Sequence, residues 1–90
     1  MPDSQISLTA VDSAAAKLKR LNLDMADAAR VIAYAQSSGS FLLSPASDHR
    51  FAHHQLGPVT LWVEYRPLGT GSFVLESVWM HRIRIIENYD

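Results

Sequence analysis

Two alternating runs, residues 59–67 and 72–87, divided by the Gly-bearing segment LGTGS, constrain this chain more than any other feature. In the first run Val59, Leu61, Val63 and Tyr65 share one side, and Thr60, Trp62, Glu64 and Arg66 the other. That is the period of a β-strand with one buried face, and a short Gly-containing loop between two such runs predicts a hairpin. In the second run Phe73, Leu75, Ser77, Trp79, His81, Ile83 and Ile85 alternate with Val74, Glu76, Val78, Met80, Arg82, Arg84 and Ile86. The first set has more bulk and is the expected core face, which places Glu76, Arg82 and Arg84 outside. Neither set is cleanly polar, so the outer face is expected to be covered, a second subunit being one cover.

The period differs upstream of residue 41. Thr9 followed by Asp12 reads as a helix start, and Val11, Ala14, Ala15, Leu18 and Leu21 make an apolar stripe, predicting a helix over about 9–21. Ahead of it, Ile6 and Leu8 are expected either to form a short strand or to pack across the core. Asp24 with Asp27 starts a second stripe (Met25, Ala28, Ala29, Ile32, Ala35) that Gly39 stops, predicting a helix over about 24–38. The short connection predicts that the two helices pack as neighbours. Strands follow at about 41–44 and 50–56, the second ended by Gly57-Pro58. The expected fold is α+β, with two N-terminal helices packed on a three- to four-stranded antiparallel β-meander, in a single domain over residues 1–90.

Composition excludes several functions. The formal net charge of −1 lacks the basic field of a dedicated nucleic-acid binder. The absence of cysteine rules out disulfides, thiolate-held clusters and cysteine nucleophiles. No Gly-rich loop opens a helix, so no nucleotide fingerprint is present, and no cofactor is expected. The first 20 residues hold Asp3 and Asp12 and no long apolar stretch. Neither a signal peptide nor a membrane span is therefore expected, and the cytoplasm is the default compartment.

Three readings remain for the polar residues. In the simplest, Glu64 or Glu76 pairs across the hairpin with Arg82 or Arg84, an ordinary cross-strand ion pair worth about 0.2–1 kcal/mol. In an enzymatic reading, His81 and Glu64 supply a general base while Arg82 or Arg84 holds an anion. In a metal reading, His49, His53 and His54 beside Asp48 act as ligands, although their spacing matches no recognised motif. As an interaction domain, the chain would present Trp62, Tyr65, Trp79, Arg82 and Arg84 as anchors, since aromatics and Arg dominate interface energetics.

The segment LGPVTLWVEYRP…FVLESVWMHRIRI resembles a small bacterial domain family with a G-x-V-T-x-W-V-E-Y strand, a hairpin and then S-H-R-M-x-I. Gly57, Val59, Thr60, Trp62, Val63, Glu64 and Tyr65 match the first part. His81, Arg82 and Ile85 fall in or beside the second, with Met80 in place of the Ser and Ile83 in place of the Met. The resemblance covers about the last 30 residues and implies an accessory module of pyridine-nucleotide and iron–sulfur oxidoreductases, with no catalytic residue. The order of elements also resembles small ribonuclease toxins of the RelE and barnase-like type, in which His or Glu is the base and Arg stabilises the phosphate. The negative net charge and the lack of Lys in the sheet depart from that type. The leading expectation is a non-catalytic interaction or accessory domain that pairs with itself or docks onto a redox enzyme through its hairpin face.

Overall fold

The computed structural model describes residues 6–82. Along the chain these form β1 (Ser7–Ala10), α1 (Asp12–Arg20), α2 (Met25–Ser38), β2 (Leu42–Leu43), β3 (Arg50–Leu56), β4 (Val59–Gly69) and β5 (Ser72–Arg82). The fold is α+β. Its sheet has five strands in the order β1-β5-β4-β3-β2 and is mixed, because β1 runs parallel to β5 while every other pair is antiparallel.

The extra strand corrects the expected start of the first helix. Thr9 is not a helix cap: it stands opposite Val74, and the ladder continues as Val11 N–H donates to Leu75 O at 3.1 Å. Ser7 and Thr9 are exposed while Leu8 and Ala10 are partly buried, so the segment has the period of two that an edge strand needs. α1 then begins at Asp12 with Val11 at its N-cap and no side-chain cap. α2 has the stronger local signals. Asp24 Oδ1 accepts from Asp27 N–H at 3.1 Å, Asp27 Oδ2 accepts from Asp24 N–H at 3.0 Å, and Gly39 ends the helix at φ +76°.

Both helices lie on one face of the sheet. α1 rests mainly on β5 and α2 on β3 and β4, so their principal contacts are with the sheet rather than with each other. Small residues make this possible: Ala14, Ala28 and Ala35 are buried, letting helix backbones approach Leu61, Val63 and Leu75 closely. Fully burying a Leu, Ile, Val or Phe side chain contributes about 1.5–3 kcal/mol, and Ile32, Leu61 and Leu75 are each 0% exposed.

Two irregularities position the opposite face. The β3–β4 connection is a two-residue loop, Gly57-Pro58, with Gly57 at φ +64°. Proline holds φ near −65°, which excludes a type I′ turn and leaves the II′ geometry that wants Gly first. In the β4–β5 hairpin, Glu64 stands opposite Ser77 but Tyr65 opposite Leu75, so Glu76 is an extra, bulged residue. The bulge shifts the alternation of β5 by one. Phe73 and Leu75 face the core before it, Val78 and Met80 after it. Trp79 and His81, expected on the core face with Phe73, therefore lie on the outer face.

Candidate functional site

Among the described residues no helix covers the outer face of the sheet, and the turn, the register and the bulge together decide which side chains it presents. Its central row runs across three strands, His53 opposite Trp62 and Trp62 opposite Trp79. The rings form a ladder, with centroids 4.4 Å apart for His53 and Trp62 and 6.0 Å for the two indoles, whose planes are within 5° of parallel. His81 adds a fourth ring 6.4 Å from Trp62. Offset stacks of this kind contribute about 0.5–1.5 kcal/mol beyond the area they bury. Trp62 and Trp79 nevertheless remain partly exposed, since nothing among the described residues packs over them.

Charged groups flank this row and are already paired. His49 Nδ1 donates to Glu64 Oε2 at 2.6 Å, with the side chains 27% and 24% exposed. The Glu64 hydrogen bond raises the His49 pKa above its ordinary value; partial desolvation opposes this, and the nearby carboxylates add to the rise. Arg66 Nε donates to Glu76 Oε2 at 2.7 Å, an ion pair that the bulge makes possible by turning Glu76 toward β4. Among the described residues Glu64 and Glu76 thus pair with His49 and Arg66; the expected partners, the Arg82 side chain and Arg84, lie outside those residues.

On the inner side lies a polar cluster that sequence reasoning missed. Gln36 Oε1 accepts from Tyr65 Oη–H at 2.7 Å and from Arg50 Nη1 at 2.9 Å, while the Arg50 guanidinium sits 4.9 Å from the centre of the Phe41 ring. Arg50 Nε is buried and has no partner among the described residues. Burial pushes the Tyr65 phenol upward against the opposing pull of Arg50. A two-residue loop at Gly57-Pro58 sets Arg50 opposite Tyr65, so that pairing could be found from turn length; the Gln36 contact has no such signal.

The expected site residues are dispersed. Tyr65 is 0% exposed and cannot anchor a partner. Glu64 and His81 both lie on the outer face, but four strand positions separate their rows, about 13 Å at about 3.3 Å per residue. Glu64 is held by His49, so a His81–Glu64 acid–base pair does not form. Arg82 stands opposite Val59 at the end of β5; its side chain and all of Arg84 lie outside the described residues. His53 contacts Trp62 on the outer face, while His54, the next residue, meets Tyr34 of α2 on the other with centroids 5.5 Å apart. Among the described residues no three His, Asp or Glu side chains converge as metal ligands, so the candidate ligands of the metal reading, His49, His53 and His54, are not brought together. Nor is any described helix long and apolar enough to cross a membrane.

Comparison of the chain with protein-family models, with characterised proteins and with solved structures gave no match.

Proposed function

We propose that this chain is a non-catalytic protein-interaction domain that docks a partner protein on the outer face of its sheet, with Trp62 and Trp79 as anchors. The observation that carries the reading is the stacked indole pair, left partly exposed at the centre of a face that no described residue packs over. Exposed Trp at the middle of a patch is the side chain most often found to dominate interface energetics.

The electrostatics support an uncharged partner surface. The acids of the face are matched internally, by His49–Glu64 and Arg66–Glu76, and the whole chain carries a formal charge of −1. Such a face favours an uncharged apolar protein surface over a polyanion, whose binding rests on phosphate neutralisation. A subunit of a redox enzyme, to which the hairpin's resemblance points, is the first candidate.

Affinity capture with the wild type and with the Trp62→Ala/Trp79→Ala variant tests the reading. The expected result is a protein partner retained in about 0.5 M salt, where exposed charge pairs are screened within about 4 Å, and lost with the double variant. Capture that disappears with salt, that brings nucleic acid, or that is indifferent to both tryptophans would overturn it.

A further inference from the structure

The edge of the sheet carries a second surface, which adjoins the tryptophan face at Trp62 and His81. β3 is paired with β4 along its whole length, from Arg50 to Leu56, but with β2 only at Arg50 and Phe51. Backbone parity then shows which residues are left open. Ser44 N–H donates to His49 O at 3.0 Å, and Leu42 stands opposite Phe51. In an antiparallel pair alternate residues turn their N–H and C=O groups to the same side. The odd-numbered residues of β3 therefore point toward β2, and His53 and Gln55 continue that row after β2 has ended. Among the described residues no strand lies against them. The space beside them is a groove of about 590 Å³ whose lining includes Tyr34, Ser40, His53, His54 and Gln55.

Natural sheets protect such an edge with lysine, proline, inward-pointing charge or a bulge. Residues 52–56 (AHHQL) contain no lysine, proline or carboxylate, and their register with β4 is unbroken. The other open edges are β1, with four residues, β2, with two, and β5 beyond Leu75, which carries the Glu76 bulge and carboxylate that blunt a strand edge.

We propose that residues 52–56 pair antiparallel with the same residues of a second copy, about a two-fold axis at His54, joining two five-stranded sheets into one. The run is symmetric about His54. His53 then lies opposite the partner's Gln55, and Gln55 opposite the partner's His53. Both are hydrogen-bonded pairs, giving about four N–H···O bonds across the axis. The lengths fit. β2 stops beside Phe51, and Leu56 of the partner subunit stands opposite Ala52, one position short of the Phe51–Leu42 pair, so the partner's Gly-Pro turn has to leave the edge there. The groove provides the space for that strand, with Tyr34 and His54 on its helix side and Trp62 on its outer side. The assembly leaves both tryptophan faces open, side by side on one continuous sheet. It goes beyond the face-docking reading and stands without it.

Light scattering on the size-exclusion peak, followed over a dilution series, tests the pairing. The expected mass moves from twice 10.0 kDa toward 10.0 kDa on dilution. Gln55→Pro removes an N–H that points to the open edge, a position where proline is tolerated in a strand. It should leave the circular dichroism unchanged and weaken dimerisation at least about tenfold, since it both deletes a donor and places a ring in the partner's path. Gln55→Lys, which keeps the N–H but adds an edge charge, is expected to weaken it as well and serves if the proline variant does not fold. In hydrogen exchange, the His53 and Gln55 amides of the wild type should be protected more strongly at high than at low concentration. A monomer at every concentration would overturn the proposal, as would a dimer indifferent to both variants. A dimer that persists in both Gln55 variants but is lost in Trp62→Ala/Trp79→Ala would place self-association on the face instead. A dimer weakened by both Gln55 variants and retained in Trp79→Ala, whose ring is not part of the groove lining, is the expected pattern, whatever the capture experiment shows.

Discussion

Replacing Gln36 with Leu removes one acceptor from two donors, and the structure sets how much that should cost. Gln36 Oε1 accepts from Tyr65 Oη at 2.7 Å and from Arg50 Nη1 at 2.9 Å. Tyr65 is 0% exposed, so its hydroxyl has no water to turn to, and a buried donor left unpaired costs about 1–3 kcal/mol. Arg50 is only partly buried and can rehydrate part of its guanidinium, so its loss is smaller, although its Nε already lacks a partner. Together the expected destabilisation is about 2–3 kcal/mol. For a domain of this size that is a sizeable part of a total near 5–13 kcal/mol, at about 0.05–0.15 kcal/mol per residue. The midpoint of thermal unfolding should fall by about 10–20 °C. Tyr65→Phe deletes the donor together with its need for a partner and leaves Gln36 bonded to Arg50, so it should cost only about 1 kcal/mol. Adding Tyr65→Phe to Gln36→Leu should then cost little more, a coupling of about 1 kcal/mol in a double-mutant cycle. Urea titrations of the four proteins measure these differences directly. If Gln36→Leu costs no more than Tyr65→Phe, the helix–sheet polar contact contributes nothing and the argument fails.

Other outcomes follow from the same geometry. Ile32→Ala, at a position that is 0% exposed under the sheet, should cost about 2–5 kcal/mol in urea unfolding, while a loss below about 1 kcal/mol would place Ile32 outside the core. Gly57→Ala forces an L-residue to φ +64° in the two-residue turn and should cost about 1–2 kcal/mol in the same assay, with the β3–β4 register retained. The folded state raises the His49 pKa, so the pair with Glu64 stabilises fully below the ordinary imidazole value near 6.5 and loses that contribution as pH rises through the folded value. Thermal midpoints from pH 6 to 8 should therefore fall more for wild type than for His49→Gln, and an NMR titration of His49 with a midpoint below 6.5 would contradict the contact.

Where information is local, the sequence was legible. Asp24, Asp27 and Gly39 lie within one helix and satisfy its end groups by themselves, so the limits of α2 needed no tertiary context. The alternation of β4 was equally clear, with Leu61, Val63 and Tyr65 in the core and Trp62 and Glu64 on the outer face. The candidate site was less legible. Aromatic character picks out Trp62 and Trp79 as anchors, yet sequence alternation puts Trp79 on the core face, because a one-residue bulge leaves no mark on the period of a single strand. It picks out Tyr65 with them although Tyr65 lies in the buried row. His49–Glu64 depends on a register linking residues fifteen apart, and the Gln36 contact spans twenty-nine to Tyr65.

The sequence by itself determined that this chain is α+β, where its second helix begins and ends, and which side of its central strand is apolar. Those properties follow from contacts within a turn or between alternate residues. Only the tertiary structure decided that residues 7–10 form a strand, since a helix-start signal at Thr9 lost to a ladder with β5, more than sixty residues away. It also decided that Trp79 faces outward beside Trp62 and that, among the described residues, no strand pairs with residues 52–56 on the edge away from β4. A sheet edge is defined by where other strands stop, and no stretch of sequence read alone contains that information.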